Sequence, residues 1–208
     1  KYSLVSREVI ADSIETVVGC LGYDGVVAIG GCDKNMPGAL IALARLNRPS
    51  IFIYGGSIRP SPINTDYVTV CEKVGEYAKG DISEEDLIAI EKVSVQGPGS
   101  CGGMYTANTM ASGIEALGMS LPGSSSQDAV SQEKKLDCQN AGSAIKNLLD
   151  LDLKPSNIMT KQAFENSIGR SVSLKVERNI IRRKYRESYP MNDISDPTGG
   201  SWSLQSSL

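Results

Sequence analysis

Val26-Val27-Ala28-Ile29-Gly30-Gly31-Cys32-Asp33-Lys34-Asn35-Met36-Pro37-Gly38-Ala39-Leu40-Ile41-Ala42-Leu43-Ala44-Arg45-Leu46-Asn47-Arg48-Pro49-Ser50-Ile51-Phe52-Ile53-Tyr54 is the stretch that decides the fold. The apolar run Val26 to Ile29, closed by two glycines, fits a short buried strand. Pro37 suits the first turn of a helix carried by Ala39, Leu40, Ile41, Leu43, Ala44 and Leu46. Ser50 to Tyr54, closed by Gly55-Gly56, fits a second buried strand. Strand, turn, helix, strand is the rhythm of a βαβ unit, whose helix returns the chain so that the two strands pair in parallel. The expected fold class is α/β: a layered α/β/α domain with a mainly parallel sheet, truncated at both ends.

Outward from this unit the pattern is helical. From Ser6 to about Leu21, Val9, Ile10, Ile14, Val17, Val18 and Leu21 recur at helical spacing, with Ser6 as the expected N-cap. Ser57 to Asp66, with Pro60 and Pro62, reads as a loop, and Val68 to Ala78 as a short helix. Ser83-Glu84-Glu85-Asp86 has the hydroxyl and the acids of a helix start. Further helices are expected over Met104–Leu117 with Gly118 as C-cap, over Ala129 to about Leu149, and from Thr160 onward. Beyond Ile168 basic residues outnumber acids, no clear apolar face remains and the end is rich in Ser and Gly, so 169–208 reads as a poorly ordered, divergent tail after a domain over 1–168.

Composition excludes several functions. At 208 residues, 40% hydrophobic and 22% charged, the chain can bury a core and reads as a soluble globular protein. Its net charge of -3 argues against nucleic acid or an acidic membrane as partner, and no apolar run approaches the roughly 18 residues of a membrane span. Five cysteines, an odd number at irregular spacing, do not make a disulfide framework and suit a reducing compartment. The absence of histidine removes Ser-His-Asp and Cys-His catalysis, HExxH zinc sites and zinc fingers together. Lys1 stands where a methionine would begin a native start, so the start reads as missing and targeting is not legible.

Two cysteines stand apart from the other three. Cys32 and Cys101 each sit in a glycine-rich turn, Gly30-Gly31-Cys32 and Gly97-Pro98-Gly99-Ser100-Cys101-Gly102-Gly103, and both turns are expected at the C-terminal edge of a strand, where α/β sheets place ligands. Thiols so presented suit a soft metal or an iron–sulfur cluster, while Asp33 beside Cys32 offers an oxygen to a hard cation. Lys34 contributes to such a site only as a carbamate. Taken singly, each of these residues has a plainer reading, as turn residue, solvated cation or small buried hydrophobe, and that plainer reading is the one expected of Cys20, Cys71 and Cys138. The Gly97 to Gly103 loop fits neither GxxxxGK[ST] nor a full GxGxxG after a strand, so a nucleotide site is not expected.

The run from Cys32-Asp33-Lys34-Asn35-Met36-Pro37-Gly38 to Pro49, together with Gly99-Ser100-Cys101-Gly102-Gly103-Met104-Tyr105-Thr106-Ala107-Asn108, resembles the two signatures of the dihydroxy-acid and sugar-acid dehydratase family. Similarity extends through Tyr2 to Ser13, Glu115 to Gly123 and Ile158 to Asn166. Gly-Met-Tyr-Thr-Ala-Asn after Cys101 is similar to the branched-chain amino-acid enzymes rather than to the phosphogluconate and aldonate dehydratases. The resemblance implies a hydro-lyase that converts 2,3-dihydroxy-3-methyl-branched acids to 2-oxo acids on the way to valine and isoleucine. It implies that Cys32 and Cys101 are ligands of an iron–sulfur cluster, [2Fe–2S] ahead of [4Fe–4S], and that Asp33 and carbamylated Lys34 bind Mg²⁺. A Lewis-acidic iron would then stabilise the departing C3 hydroxyl. A small-molecule dihydroxy acid is the implied partner, with a homodimer in the full-length parent, in bacterial cytoplasm or in a mitochondrion or plastid.

The same resemblance places a first cluster cysteine and a magnesium-binding aspartate ahead of Lys1, and a glutamate ligand and the proton-abstracting serine in a C-terminal domain beyond this sequence. No catalytic residue is therefore assigned here, and the chain reads as a catalytically incompetent fragment. The competing readings are an aldonate or phosphogluconate dehydratase of the same family and a non-catalytic metal-binding fragment.

Overall fold

The computed structural model describes residues 2–169 except 60, 62, 64, 103 and 104. Its centre is the βαβ unit. Strand β1 (Val26–Gly30) runs parallel to β2 (Ser50–Tyr54), in the register Val26 opposite Ser50 and Gly30 opposite Tyr54. Helix α2 (Asn35–Leu46) joins them, with Pro37 in its first turn. Both strands therefore end at the same edge of the sheet, and the loop of Cys32 leaves from that edge.

Strand β2 is buried along its whole length, and its alternate side chains supply two separate cores. Phe52 and Tyr54 point into a cluster built by Met36, Ala39, Leu40 and Leu43 of α2 and by Ala107, Ala111 and Ile114 of helix α5 (Thr106–Ala116). Ile51 and Ile53 point the other way, onto Ala141, Ala144, Ile145 and Leu148 of helix α6 (Gln132–Asp150). Each such side chain contributes about 1.5–3 kcal/mol relative to exposure, which fixes β2 as the middle of three layers, helix, sheet and helix. The expected α/β class and parallel sheet are borne out.

Strand β1 departs from expectation. Ala28 and Gly30 face α2, but Val27 is 44% and Ile29 69% exposed, so the apolar run is buried on one face only. The reason is positional, since the apolar stripe of α6 lies over Ile51 and Ile53 of β2.

Helix α1 (Val5–Leu21) lies against α2 and is tied to it by Arg45, whose guanidinium reaches Glu8 at 2.8 Å and Asp12 at 2.9 Å. Its expected N-cap is corrected: the cap position is Leu4 without a side-chain bond, and the Ser6 hydroxyl donates instead to the Ser3 carbonyl. Helices α3 (Tyr67–Lys79) and α4 (Glu84–Ser94) form a hairpin outside the cores, with no buried residue in α3. Each begins with a capping box, Asp66 with Thr69 and Ser83 with Asp86, the second at the expected place. Hydrogen bonds from the Ser83 hydroxyl and backbone hold the Asp86 carboxyl below its ordinary range.

Gly118, one residue past the cap of α5, takes the left-handed conformation, and Ser131 rather than Ala129 opens α6. A short helix α7 (Pro155–Ile158) follows, and Thr160 accepts from the Ala163 amide at the head of the last helical segment, 161–169. No helix among the described residues is long and apolar enough to cross a membrane. All but the first residue of the expected tail 169–208 lies outside the described residues.

Candidate functional site

Two loops meet at the C-terminal edge of the sheet. The first, residues 31–34, leaves β1 and enters α2. The Asn35 side chain closes it, its Oδ1 accepting the amides of Gly31 at 3.2 Å and Cys32 at 2.9 Å. Cys32 is exposed, with Sγ 3.7 Å from Asp33 Oδ1, and the Lys34 ammonium pairs with Asp33 Oδ2 at 3.1 Å.

The second loop carries Cys101 and is built differently. Contrary to expectation it follows α4 rather than a strand, and it meets the chain just past β2 through a one-residue parallel bridge between Ser100 and Ser57. The Ser100 amide donates to the Gly56 carbonyl at 2.8 Å and the Ile58 amide to the Ser100 carbonyl at 2.7 Å. The chain just beyond β2 thus serves as a splint for the loop. Gly99 has φ +139°, and a Cβ there would fall 2.3 Å from the Ile58 nitrogen, so only glycine lets the two backbones approach this closely.

Gly31 is where the loops touch. A Cβ at Gly31 would stand 2.4 Å from the Ser100 hydroxyl oxygen. The residue before Cys32 therefore lies against the residue before Cys101, although 69 positions separate the cysteines. Both thiols are exposed at this junction.

Beneath the junction lies a buried polar cluster. The Tyr54 hydroxyl, at the end of β2, donates to Asn108 Oδ1 at 3.1 Å, and the Ser57 hydroxyl donates to the same oxygen at 3.0 Å. Asn108 Nδ2 donates to the Cys101 carbonyl at 2.8 Å. Behind Tyr54 the buried Lys134 ammonium sits 5.8 Å from the ring centroid. It is paired with Asp137 at 2.8 Å and donates to the Ser124 carbonyl at 3.0 Å. A buried ion pair held by this many hydrogen bonds is satisfied rather than reactive, so this cluster is scaffold for Tyr54.

Sequence reasoning singled out Cys32, Asp33, Lys34 and Cys101; the structure sets the loop that carries the first three against the loop of Cys101, through Gly31 and Ser100. Asn108, Tyr54 and Ser57 were missed as contributors. The available signal was an amide on the apolar face of α5, between Ala107, Ala111 and Ile114, where a buried polar group must find partners. The plain reading of Cys20, Cys71 and Cys138 as buried hydrophobes is corrected: all three are exposed, on the solvent faces of α1, α3 and α6. Cys71 also has a neighbourhood. The Tyr67 phenol is pushed above its ordinary range, chiefly by a hydrogen bond to the Cys71 side chain, then by electrostatic interaction with it, by burial, and by Cys101 and Tyr105.

As a donor set these residues fit part of a metal centre. Two thiols on adjoining loops suit a thiophilic metal, yet among the described residues no three Cys, Asp or Glu side chains are grouped to hold an ion, and an iron–sulfur cluster takes about four ligands. Asp33 is engaged by the Lys34 ammonium; a carbamate on Lys34 would replace that cation with a second carboxylate and turn the pair into an oxygen site for a hard cation.

Comparison with known proteins gives consistent results. Residues 1–175 match the family described as dihydroxy-acid/6-phosphogluconate dehydratase, N-terminal. "Dihydroxy-acid dehydratase 2" of Acinetobacter baylyi is 65% identical over 181 residues, 87% of this chain and 32% of its own length. "Dihydroxy-acid dehydratase" of Ruthia magnifica shows the same identity and shares, and that of Lactococcus lactis subsp. lactis is 58% identical over 171 residues, 81% of this chain and 30% of its own length. The chain spans about a third of the length of the curated relatives it matches.

Proposed function

The chain belongs to the dihydroxy-acid/6-phosphogluconate dehydratase family, and on that premise we propose that it forms the cluster-bearing part of a dihydroxy-acid dehydratase. The activity is that of a hydro-lyase, the loss of water from 2,3-dihydroxy-3-methyl-branched acids to give the 2-oxo acids that precede valine and isoleucine. The observation that carries this reading is the contact of Gly31 with Ser100, which sets the loops of Cys32 and Cys101 side by side at one sheet edge. Supporting it, each named relative above is called a dihydroxy-acid dehydratase, which favours this activity over the phosphogluconate and aldonate dehydratases of the same family.

On this reading 1–168 is the cluster-binding part, 169–208 is a divergent tail, and the full-length parent is a homodimer in the bacterial cytoplasm or, in a eukaryote, in a mitochondrion or plastid. Cys32 and Cys101 hold an iron–sulfur cluster, [2Fe–2S] ahead of [4Fe–4S], together with thiolates from outside this sequence. Asp33 and carbamylated Lys34 hold Mg²⁺. When bound, the iron supplies a Lewis acid for the C3 hydroxyl and Mg²⁺ a counter-charge for the substrate carboxylate and C2 oxygen. The residues of this chain present those ligands and orient them; the base that takes the C2 proton is a serine elsewhere in the parent. The isolated chain is accordingly without turnover.

Anaerobic loading with iron and sulfide, followed by an assay on 2,3-dihydroxy-3-methylbutanoate, tests both parts. Iron uptake that falls in Cys32→Ser and again in Cys101→Ser, with no turnover, is the expected result. Uptake indifferent to both substitutions would remove the cluster reading, and turnover by the isolated chain would remove the assignment of the base elsewhere.

A further inference from the structure

We infer that Asn108 is a positioning residue that sets where the Cys101 thiol stands relative to Cys32, an inference that rests on the cluster reading for its purpose but not for its test. Asn108 is 5% exposed on the core face of α5. A buried amide at a position that an aliphatic residue could fill is costly unless its oxygen and nitrogen are both used. Both are. The Cys101 carbonyl can only accept, so the NH₂ group must face it, and Nδ2 donates to it at 2.8 Å. That orientation turns Oδ1 onto two hydroxyls, those of Tyr54 and Ser57, which donate to it at 3.1 and 3.0 Å.

The anchors matter as much as the amide. Tyr54 is the last residue of β2 and pairs in register with Gly30, the last of β1, two positions before Cys32. The Gly55 amide donates to the Gly30 carbonyl at 2.8 Å and locks the same edge. A single chain of contacts therefore runs from Cys32 through Gly30 and Tyr54 to Asn108 and the carbonyl of Cys101. Ser100 is fastened to the splint by backbone alone, through Gly56 and Ile58. Cys101 is fastened by a side chain, and that side chain is braced at Oδ1 by the last residue of the strand whose end pairs with the start of the Cys32 loop.

All five cysteines are exposed, so each reports its own surroundings. In the full 208-residue chain, under anaerobic reducing conditions, the alkylation rate of every thiol by iodoacetamide is read by peptide mass spectrometry. Asn108→Leu keeps the branched heavy-atom skeleton and deletes the amide. Its expected effect is a rise of about fivefold at Cys101, the equivalent of one hydrogen bond, with Cys20 on α1 and Cys138 on α6 within about twofold of their starting rates. Tyr54→Phe and Ser57→Ala each give part of that rise alone and add nothing in the Asn108→Leu background. Asn108→Asp, which sets a carboxylate against the Cys101 backbone, moves the pH midpoint of Cys101 alkylation upward and leaves those of Cys20 and Cys138 in place, a response that loosened packing would not give.

An unchanged Cys101 rate in folded Asn108→Leu, or an unchanged midpoint in Asn108→Asp, overturns the inference. If Asn108→Leu unfolds, all five thiols accelerate together and the decision passes to Tyr54→Phe and Ser57→Ala, where acceleration confined to Cys101 upholds positioning and none overturns it. Iron loading of the same variants separates the premise: a Cys101-specific effect without cysteine-dependent iron uptake upholds positioning and removes the cluster reading.

Discussion

The loop of Cys32 and the loop of Cys101 present the same chemical group at the same edge, and they are held by opposite means. Asn35 closes the first loop from within, reaching back three and four residues to the amides of Cys32 and Gly31. The second loop is held from far away, by Gly56 and Ile58 of the chain beyond β2 and by Asn108 seven residues on, itself braced by Tyr54. A locally closed turn needs little from the rest of the fold. A loop held by tertiary contacts exists only where the fold delivers the splint, so damage to the splint should release Cys101 while sparing Cys32.

The sharpest way to break this asymmetry is Gly99→Ala. The new Cβ would meet the Ile58 nitrogen at 2.3 Å and the Ile58 Cα at 2.6 Å, atoms of the backbone that cannot rotate aside, and φ +139° adds strain of its own. The two penalties together are expected to cost about 3 kcal/mol or more, read as a lowered urea midpoint with faster alkylation of Cys101 than of Cys32. Equal acceleration of both thiols would mean that the loops are one unit and the comparison is false.

A smaller effect is expected where the loops touch. Gly31→Ala sets a methyl 2.4 Å from the Ser100 hydroxyl oxygen, but the nearest other atom, Ser100 Cβ, is 3.8 Å away, an ordinary contact. Overpacking at one movable oxygen should cost about 1 kcal/mol, and Ser100→Ala in the same chain should return most of it. The rescue is the informative part. If the double variant remains as destabilised as Gly31→Ala, the loops are held together by something other than the fit of Gly31 to Ser100.

The same contrast explains what was legible in the sequence. Helix α2, strand β2 and the Ser83 to Asp86 capping box could be read because their causes lie within a few residues: a proline at a first turn, five residues closed by glycines, a hydroxyl three positions from a carboxylate. The Cys32 turn shares this property. The open face of β1 was not legible, because exposure of Ile29 depends on where α6, more than a hundred residues later, lays its apolar stripe. The solvent exposure of Cys71 was hidden for a like reason: helical spacing identifies α3 but says nothing of the core it fails to join. At the candidate site the residue types were readable and their meeting was not. Asn108 looked like one polar residue in an apolar helix until Tyr54, Ser57 and the Cys101 carbonyl were placed around it.

The gentlest probe is Asn35→Ala, and it tests the local side of the comparison. The substitution removes the acceptor of the Gly31 and Cys32 amides, worth about 1 kcal/mol for hydrogen bonds in a turn, but alanine is the better helix former and water can reach the exposed turn. The net loss should therefore be only about 0.5 kcal/mol, near the limit of an unfolding experiment, so the useful readout is chemical. Cys32 should alkylate faster while Cys101 keeps its rate, because the amides released belong to the first loop and the Ser100 splint is untouched. Were Cys101 to accelerate as well, Asn35 would be acting through Gly31 on Ser100, and the closure of the first loop would have to be counted among the supports of the second.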